Sequence, residues 1–291
     1  MKRAVWFPVY CLILAMVLWA SSFIALKLAF RAYHPMVVIF GRMLTASIFF
    51  AFLWPRFRSI PFNRRDAKFI LLMAFCEPCL YFLFEAKAIQ NTTASQAGMI
   101  TAILPLMVAV AAHFVLKERI GGRTLAGFFL AIFGACWLSV GGRPSADAPN
   151  PVLGNFLEFM AMVCATGYTI TLKRLTPVYP PLFLTGIQAF VGTLFFLPFL
   201  FLPATTLPDS LEPIPAAAIF YLGAVITLGA YGLYNFGVSR IPASQASAFV
   251  NLIPVFTVLL GWLILGETLT MSQCAAAVVV FMGVMMSQKW G

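Results

Sequence analysis

The chain is 291 residues long, 62% hydrophobic and 10% charged, with 30 Phe and a mean hydropathy of +0.95. That much apolar surface cannot be hidden inside a water-soluble globule, so the solvent around most of the chain is lipid. A formal net charge of +10 would suit nucleic acid if the bases formed one patch, but they sort by side of a membrane, and no nucleic-acid partner is expected.

A hydrocarbon core about 30 Å thick takes about 20 mostly apolar residues per helix. Cut at its charges, prolines and polar clusters, the sequence predicts spans at 5–28, 36–54, 69–86, 93–116, 124–141, 152–172, 181–203, 216–236, 243–265 and 270–288. The first follows Lys2 and Arg3; its apolar run is too long for a cleaved signal peptide and reads as a helix. It carries Trp19 and Ser22, and the second span carries Arg42. The third holds the one acid clearly at mid-depth, Glu77, beside Pro78, with Tyr81 and Glu85 at i+4 and i+8 on the same face. A charge there costs about 2.5 to 3.5 kcal/mol on insertion scales, so it has a partner, a wet cavity or a task. Glu77 is expected to line the pathway and meet a substrate amine or a proton, with a buried structural Glu as the alternative.

The fourth span carries Gln96, Pro105 and an interfacial His113, and the sixth carries Glu158 and Tyr168. Gln188 lies on the seventh, Tyr231 and Asn235 at i and i+4 on the eighth, and Gln245, Asn251 and Pro254 on the ninth. Trp19, Ser22, Glu77, Tyr81, Tyr168, Gln188, Tyr231, Asn235 and Asn251 form the expected substrate pocket, a mixture of rings, amides and one carboxylate that suits a modest amphipathic or zwitterionic solute. Arg42, Glu85 and Glu158 share a level near the outer membrane face, where an ion pair would make and break during gating; a static pair, or Arg42 snorkelling to the interface, is the alternative. All six Cys fall within spans as small packing residues, and the isolated CxxC at Cys76 and Cys79 has no second pair for a metal. No cofactor and no metal are expected.

The letters ASQA occur twice, at Ala94–Ala97 and Ala243–Ala246, and the register holds at an offset of 149: Pro105 matches Pro254, Leu116 matches Leu265, Glu118 matches Glu267, Ala126 matches Ala275 and Gly134 matches Gly283. This is the pattern of an internal duplication, with repeats at 1–144 and 150–291 joined through the polar midpoint stretch Gly141–Asn150. Five spans per repeat is an odd number, so the second copy crosses in the opposite sense. With the N-terminus cytoplasmic, Lys2, Arg3, Arg56, Arg58, Arg64, Arg65, Lys68, Lys117, Arg119, Arg123, Lys173, Arg174, Arg240 and Lys289 face inward, and only Lys27, Arg31, Lys87 and Arg143 face outward. Both termini are therefore expected inside. Gln96 and Gln245 then lie near opposite mouths, and Pro105 and Pro254 meet near mid-membrane. Each Pro is expected to free a carbonyl four residues back, at Thr101 and Val250, beside a cavity or in a packed kink.

Ten spans as five plus five, the early Trp19-Ala20-Ser21-Ser22, Arg42 in the second span, and the twice-used ASQA, Pro, LxE pattern together resemble the EamA-type members of the drug/metabolite transporter superfamily, over nearly the whole chain. The nearest-looking branch is the ten-helix exporters of amino acids and related metabolites. The resemblance implies an all-α integral membrane protein of ten transmembrane helices as two inverted five-helix repeats. Spans one, three, four, six, eight and nine would surround a central cavity, with five and ten peripheral. It implies a secondary transporter of the bacterial inner membrane, working by alternating access on an amino acid or similar metabolite, with a monomer in the lipid bilayer as the expected unit. Other metabolites or drugs, or a non-transporting sensor, are the alternatives. One departure stands out: small four-helix members of the superfamily use a first-helix glutamate for proton coupling, and this first span has no acid. HExxH, GxSxG, Asp-rich and P-loop motifs are absent from the sequence, so no enzyme is expected and movement is downhill or ion-coupled.

Overall fold

The computed structural model describes residues 2–118, 121–141 and 144–287. Of the charges sorted by side above, Arg119, Arg143 and Lys289 lie outside the described residues. Backbone groups in lipid must be satisfied within their own segment, and among the described residues the chain is helical with no named strand. The helices are α1 (Lys2–Phe30), α2 (Pro35–Arg56), α3 (Ala67–Asn91), α4 (Ala94–Leu116), α5 (Gly122–Val140), α6 (Pro151–Leu175), α7 (Pro181–Phe201), α8 (Pro213–Arg240), α9 (Ala243–Leu265) and α10 (Met271–Ser287). Several begin on proline, which lacks the N–H that a first turn cannot use: Pro35, Pro151, Pro181 and Pro213. Asn150 caps α6 by accepting from the Leu153 N–H at 3.2 Å, and Thr93 caps α4 by accepting from the Gln96 N–H at 3.1 Å.

Seven of these, α1 to α4 and α7 to α9, are long and apolar enough to cross a membrane. α6 is not among the seven because Asn155, Glu158, Thr166, Thr169 and Thr171 lower its hydropathy; these side chains are buried within the protein. The apolar stretches of α5 and α10 are shorter, Leu125–Leu138 and Met271–Gly283.

Several helices change pitch along their length, among them α8, with a π-type stretch at Leu222–Ala230. In α3 a π-type segment, Phe75–Leu80, contains Glu77 in extended backbone (φ −149°, ψ 116°), followed by a cis bond to Pro78. α4 tightens to a 3₁₀ turn at Thr101–Ile103. α9 does the same at Phe249–Asn251 and widens again at Gly261–Leu265. These turns correct the expectation of free carbonyls before Pro105 and Pro254: the Leu104 N–H donates to Thr101 O, and the Leu252 N–H to Phe249 O and Val250 O. Tightening by one residue recaptures what each proline releases.

α5 and α10 pack against each other away from the centre, at nearly touching backbones. A Cβ on Gly134 would lie 2.8 Å from Val280 N, and one on Gly283 would lie 2.6 Å from Gly127 O and 2.7 Å from Ala131 N. Small residues let membrane helices approach this closely. Gly134→Val is therefore expected to cost about 1–3 kcal/mol by overpacking, read as a lowered thermal unfolding temperature in detergent. A variant as stable as the parent would show that the helices separate freely.

Candidate functional site

A central cavity with ≈ 480 Å³ of atom-free space is lined by Trp19, Ser22 and Phe23 of α1, Arg42 of α2, and Glu77, Tyr81 and Glu85 of α3. Thr101 and Leu104 of α4, Met162, Ala165, Tyr168 and Thr169 of α6, Tyr231 and Tyr234 of α8, and Val250 and Ile253 of α9 complete the wall. Thr101 and Leu104 stand 149 residues before Val250 and Ile253, so matched positions of the duplicated stretch form facing parts of one wall.

The broken turn of α3 aims Glu77 inward. Its Oε1 accepts from the Tyr231 hydroxyl, and its backbone carbonyl accepts from Gln188 Nε2 at 2.7 Å. Tyr168 donates to Asn235 Oδ1, whose Nδ2 donates to Thr185 Oγ1 at 2.8 Å. Trp19 packs on Tyr231 and Tyr234 with ring centroids 4.9 and 4.7 Å apart. Its indole Nε1 is buried with no hydrogen-bond partner, an uncommon state for a buried donor.

Above Glu77 on α3, the Tyr81 hydroxyl donates to Glu85 Oε1 at 2.9 Å. Arg42, 1% exposed, donates from Nε to Thr227 Oγ1 at 2.8 Å and stacks 4.1 Å over the Phe82 ring. Its Nη1 stands 3.8 Å from Glu85 Oε2, at ion-pair distance but beyond a hydrogen bond. Glu158 is fully buried, and both its carboxylate oxygens lack a hydrogen-bond partner.

Of the residues expected in the pocket, Trp19, Ser22, Glu77, Tyr81, Tyr168 and Tyr231 line the cavity, joined by Arg42 and Glu85 from the expected gate. Gln188 and Asn235 stand behind the wall and orient Glu77 and Tyr168. Asn251 is not in the lining; its amide atoms are buried without a partner. Arg42 pairs with Glu85, and no ion pair joins Arg42 to Glu158 among the described residues. Gln96 is buried and accepts from Asn155 Nδ2 at 2.9 Å, whereas Gln245 is exposed. Pro105 and Pro254 stay out of the cavity lining, while their neighbours Leu104 and Ile253 enter it. Tyr234 and Thr169 went unread in the sequence; Tyr234 lies at i+3 from Tyr231, a spacing that would have found it.

Among the described residues, no group of three or more His, Cys, Asp or Glu is disposed to hold a metal. What the cavity offers is two carboxylates, Glu77 and Glu85, two donors without hydrogen-bond partners at Trp19 and Arg42, and aromatic walls, within an all-helical apolar body. That is the equipment of a membrane transporter for small solutes. The sequence profile of the EamA-like transporter family matches residues 6–140 and again 152–288. The chain belongs to that family, within the drug/metabolite transporter superfamily, and is an integral membrane transporter and not an enzyme.

Among its relatives is the uncharacterized transporter YetK of Bacillus subtilis, 28% identical over 70% of this chain, a match that spans 63% of YetK. An uncharacterized transporter of Archaeoglobus fulgidus is 25% identical over 94% of both chains. A probable terminal-alkyne amino-acid exporter of Streptantibioticus cattleyicolor is 25% identical over 92% of this chain and 87% of its own length. A crystal structure sharing 16% identity superposes with a TM-score of 0.65 over 96% of each chain, a likeness of fold alone.

Proposed function

We propose that the protein exports small zwitterionic metabolites, amino acids or close relatives, by alternating access through the central cavity. The observation that carries this reading is the pairing of opposite handles in one buried chamber. Glu77 offers a carboxylate to an ammonium group, while Arg42 Nη1 and Trp19 Nε1 are donors without hydrogen-bond partners, suited to an acceptor group. Tyr168, Tyr231 and Tyr234 supply amphipathic walls. The similarity to an amino-acid exporter supports the same class of solute.

In this reading α1 to α10 are ten transmembrane helices arranged as two inverted repeats, 1–144 and 150–291. Support comes from the 149-residue offset that relates Thr101 and Leu104 to Val250 and Ile253 across the cavity, and from the two family matches. The same reading has both termini in the cytoplasm of a bacterial cell and the helices in its inner membrane; the distribution of the basic residues supports the sidedness. Gln96 and Asn155 sit towards the outer mouth, with Arg42, Glu85 and Glu158 between it and the substrate. The sequence carries no P-loop motif, and in this reading movement runs downhill or is coupled to an ion.

Efflux from proteoliposomes preloaded with individual radiolabelled amino acids, amines and nucleosides tests the proposal. Saturable efflux of at least one amino acid, with a matching rise in unfolding temperature when that solute is added, is expected because ligands stabilise the state they bind. Transport confined to nucleosides or to non-zwitterionic amines would overturn the assignment.

A further inference from the structure

Two glutamates outside the cavity occupy equivalent places, and each is bound to the opposite half of the chain. Glu118 follows the end of α4, and Glu267 follows the end of α9, 149 residues on. At each end a left-handed residue, Lys117 (φ 59°) or Gly266 (φ 69°), turns the backbone. The Glu118 N–H then donates to Ala112 O, and the Glu267 N–H to Gly261 O, both at 3.1 Å. Two copies of one turn thus aim two carboxylates back along their own helices.

Each carboxylate ends on an ASQA. Glu267 accepts from the Ala94 and Ser95 N–H groups, both at 2.8 Å, and from the Ser95 hydroxyl at 2.5 Å. Glu118 accepts from the Ala243 N–H at 3.3 Å and from the Ser244 hydroxyl. The first N–H groups of a helix have no partner within it and carry its positive pole, so a carboxylate placed there makes strong, directional bonds. The end of α9 is therefore fastened to the start of α4, and the end of α4 to the start of α9. The pair is antiparallel, the fastenings lie at its two ends, and the cavity residues Thr101, Leu104, Val250 and Ile253 lie between them.

Such bonds are made or lost over a fraction of an ångström, unlike apolar contacts that slide. Opening one end of the cavity by parting α4 from α9 requires one fastening to release while the other serves as the pivot. A released carboxylate also needs new company: Lys27 and Arg31 line the same surface pocket as Glu267, and His113 Nδ1 lies 2.8 Å from the Glu118 carbonyl, steadying its turn. We propose that Glu118 and Glu267 are positioning residues that latch the two gates of the transporter, with the latches releasing in turn. This rests on the alternating-access reading above.

The test places a single reporter cysteine at the cavity-lining Ala165, in the full-length chain with its six native cysteines replaced. A membrane-impermeant maleimide is then applied to right-side-out and to inverted membrane vesicles. Losing a charge-assisted bond shifts a two-state ratio by about tenfold. Glu267→Ala is expected to raise labelling by about that factor from the face where α4 begins, and Glu118→Ala from the opposite face, with the Gln variants between each Ala variant and the parent. Loss of packing alone would not give opposite sidedness. If both variants open the same face, or if folded variants leave both labelling rates unchanged, the latches do not exist. Should the Glu variants fail to fold, Ser95→Ala and Ser244→Ala each remove one hydroxyl and must show the same opposed shifts at smaller size; their absence overturns the proposal. The parent protein separates the two ideas: if its reporter does not change sidedness when solute is added, alternating access has failed, and if it does while the variants leave it unbiased, only the latches have.

Discussion

Glu77→Gln is expected to cut solute efflux by about 10- to 100-fold while leaving the protein folded, measured as initial rates from proteoliposomes alongside thermal unfolding in detergent. Gln keeps the shape of the side chain, and its carbonyl can still accept from Tyr231. The bond from Gln188 goes to the Glu77 backbone carbonyl at 2.7 Å and does not depend on the side chain at all. What the substitution removes is the acid, and with it the charge that a substrate ammonium would meet there. A hydrogen bond to a charged partner is worth about 1.5–3 kcal/mol, and each 1.4 kcal/mol is tenfold. Undiminished efflux from a folded Glu77→Gln protein would remove Glu77 from the site.

Arg42→Met is expected to be the most destabilising single change in the cavity wall, by about 3–5 kcal/mol, because it leaves a buried carboxylate without its cation. Glu85 is 2% exposed; after the change it would keep only the Tyr81 hydroxyl at 2.9 Å. The cation face on Phe82 and the bond to Thr227 go as well. The second substitution Glu85→Gln, made in the Arg42→Met background, is expected to restore more than half of the loss, since a neutral amide tolerates the site. A double-mutant cycle in thermal unfolding reads this coupling directly. Additive losses would show that Arg42 stabilises through Thr227 and Phe82 and not through Glu85.

The parts of the site legible in the sequence are those that rest on a cost. Glu77 stood out as a lone acid in mid-span beside a proline, and its placement in the cavity follows from the expense of a charge in lipid. Arg42 and Glu85 were legible by depth, but not their pairing in preference to Glu158, because depth carries no rotation about the helix axis. Asn235 was expected to face the cavity and instead supports Tyr168 from behind. Tyr231 and Asn235 keep their i, i+4 spacing in the regular helix after Ala230, but Asn235 lies one turn further along, where its amide is taken up by Tyr168 and Thr185. Asn251 left the expected wall at the 3₁₀ turn Phe249–Asn251, where Val250 lines the cavity instead. The matched glutamates were visible at fixed spacing, yet bonds from Glu118 to Ser244 and from Glu267 to Ser95 span 126 and 172 residues, a distance over which local patterns say nothing.

Carboxylates tied to main-chain amides hold both ends of the α4–α9 pair, and this has a consequence for how a transport cycle would start. Both fastenings are made in the same conformation. Under the latch proposal neither face has yet been chosen, so a solute arriving from one side and a solute arriving from the other would meet the same starting point.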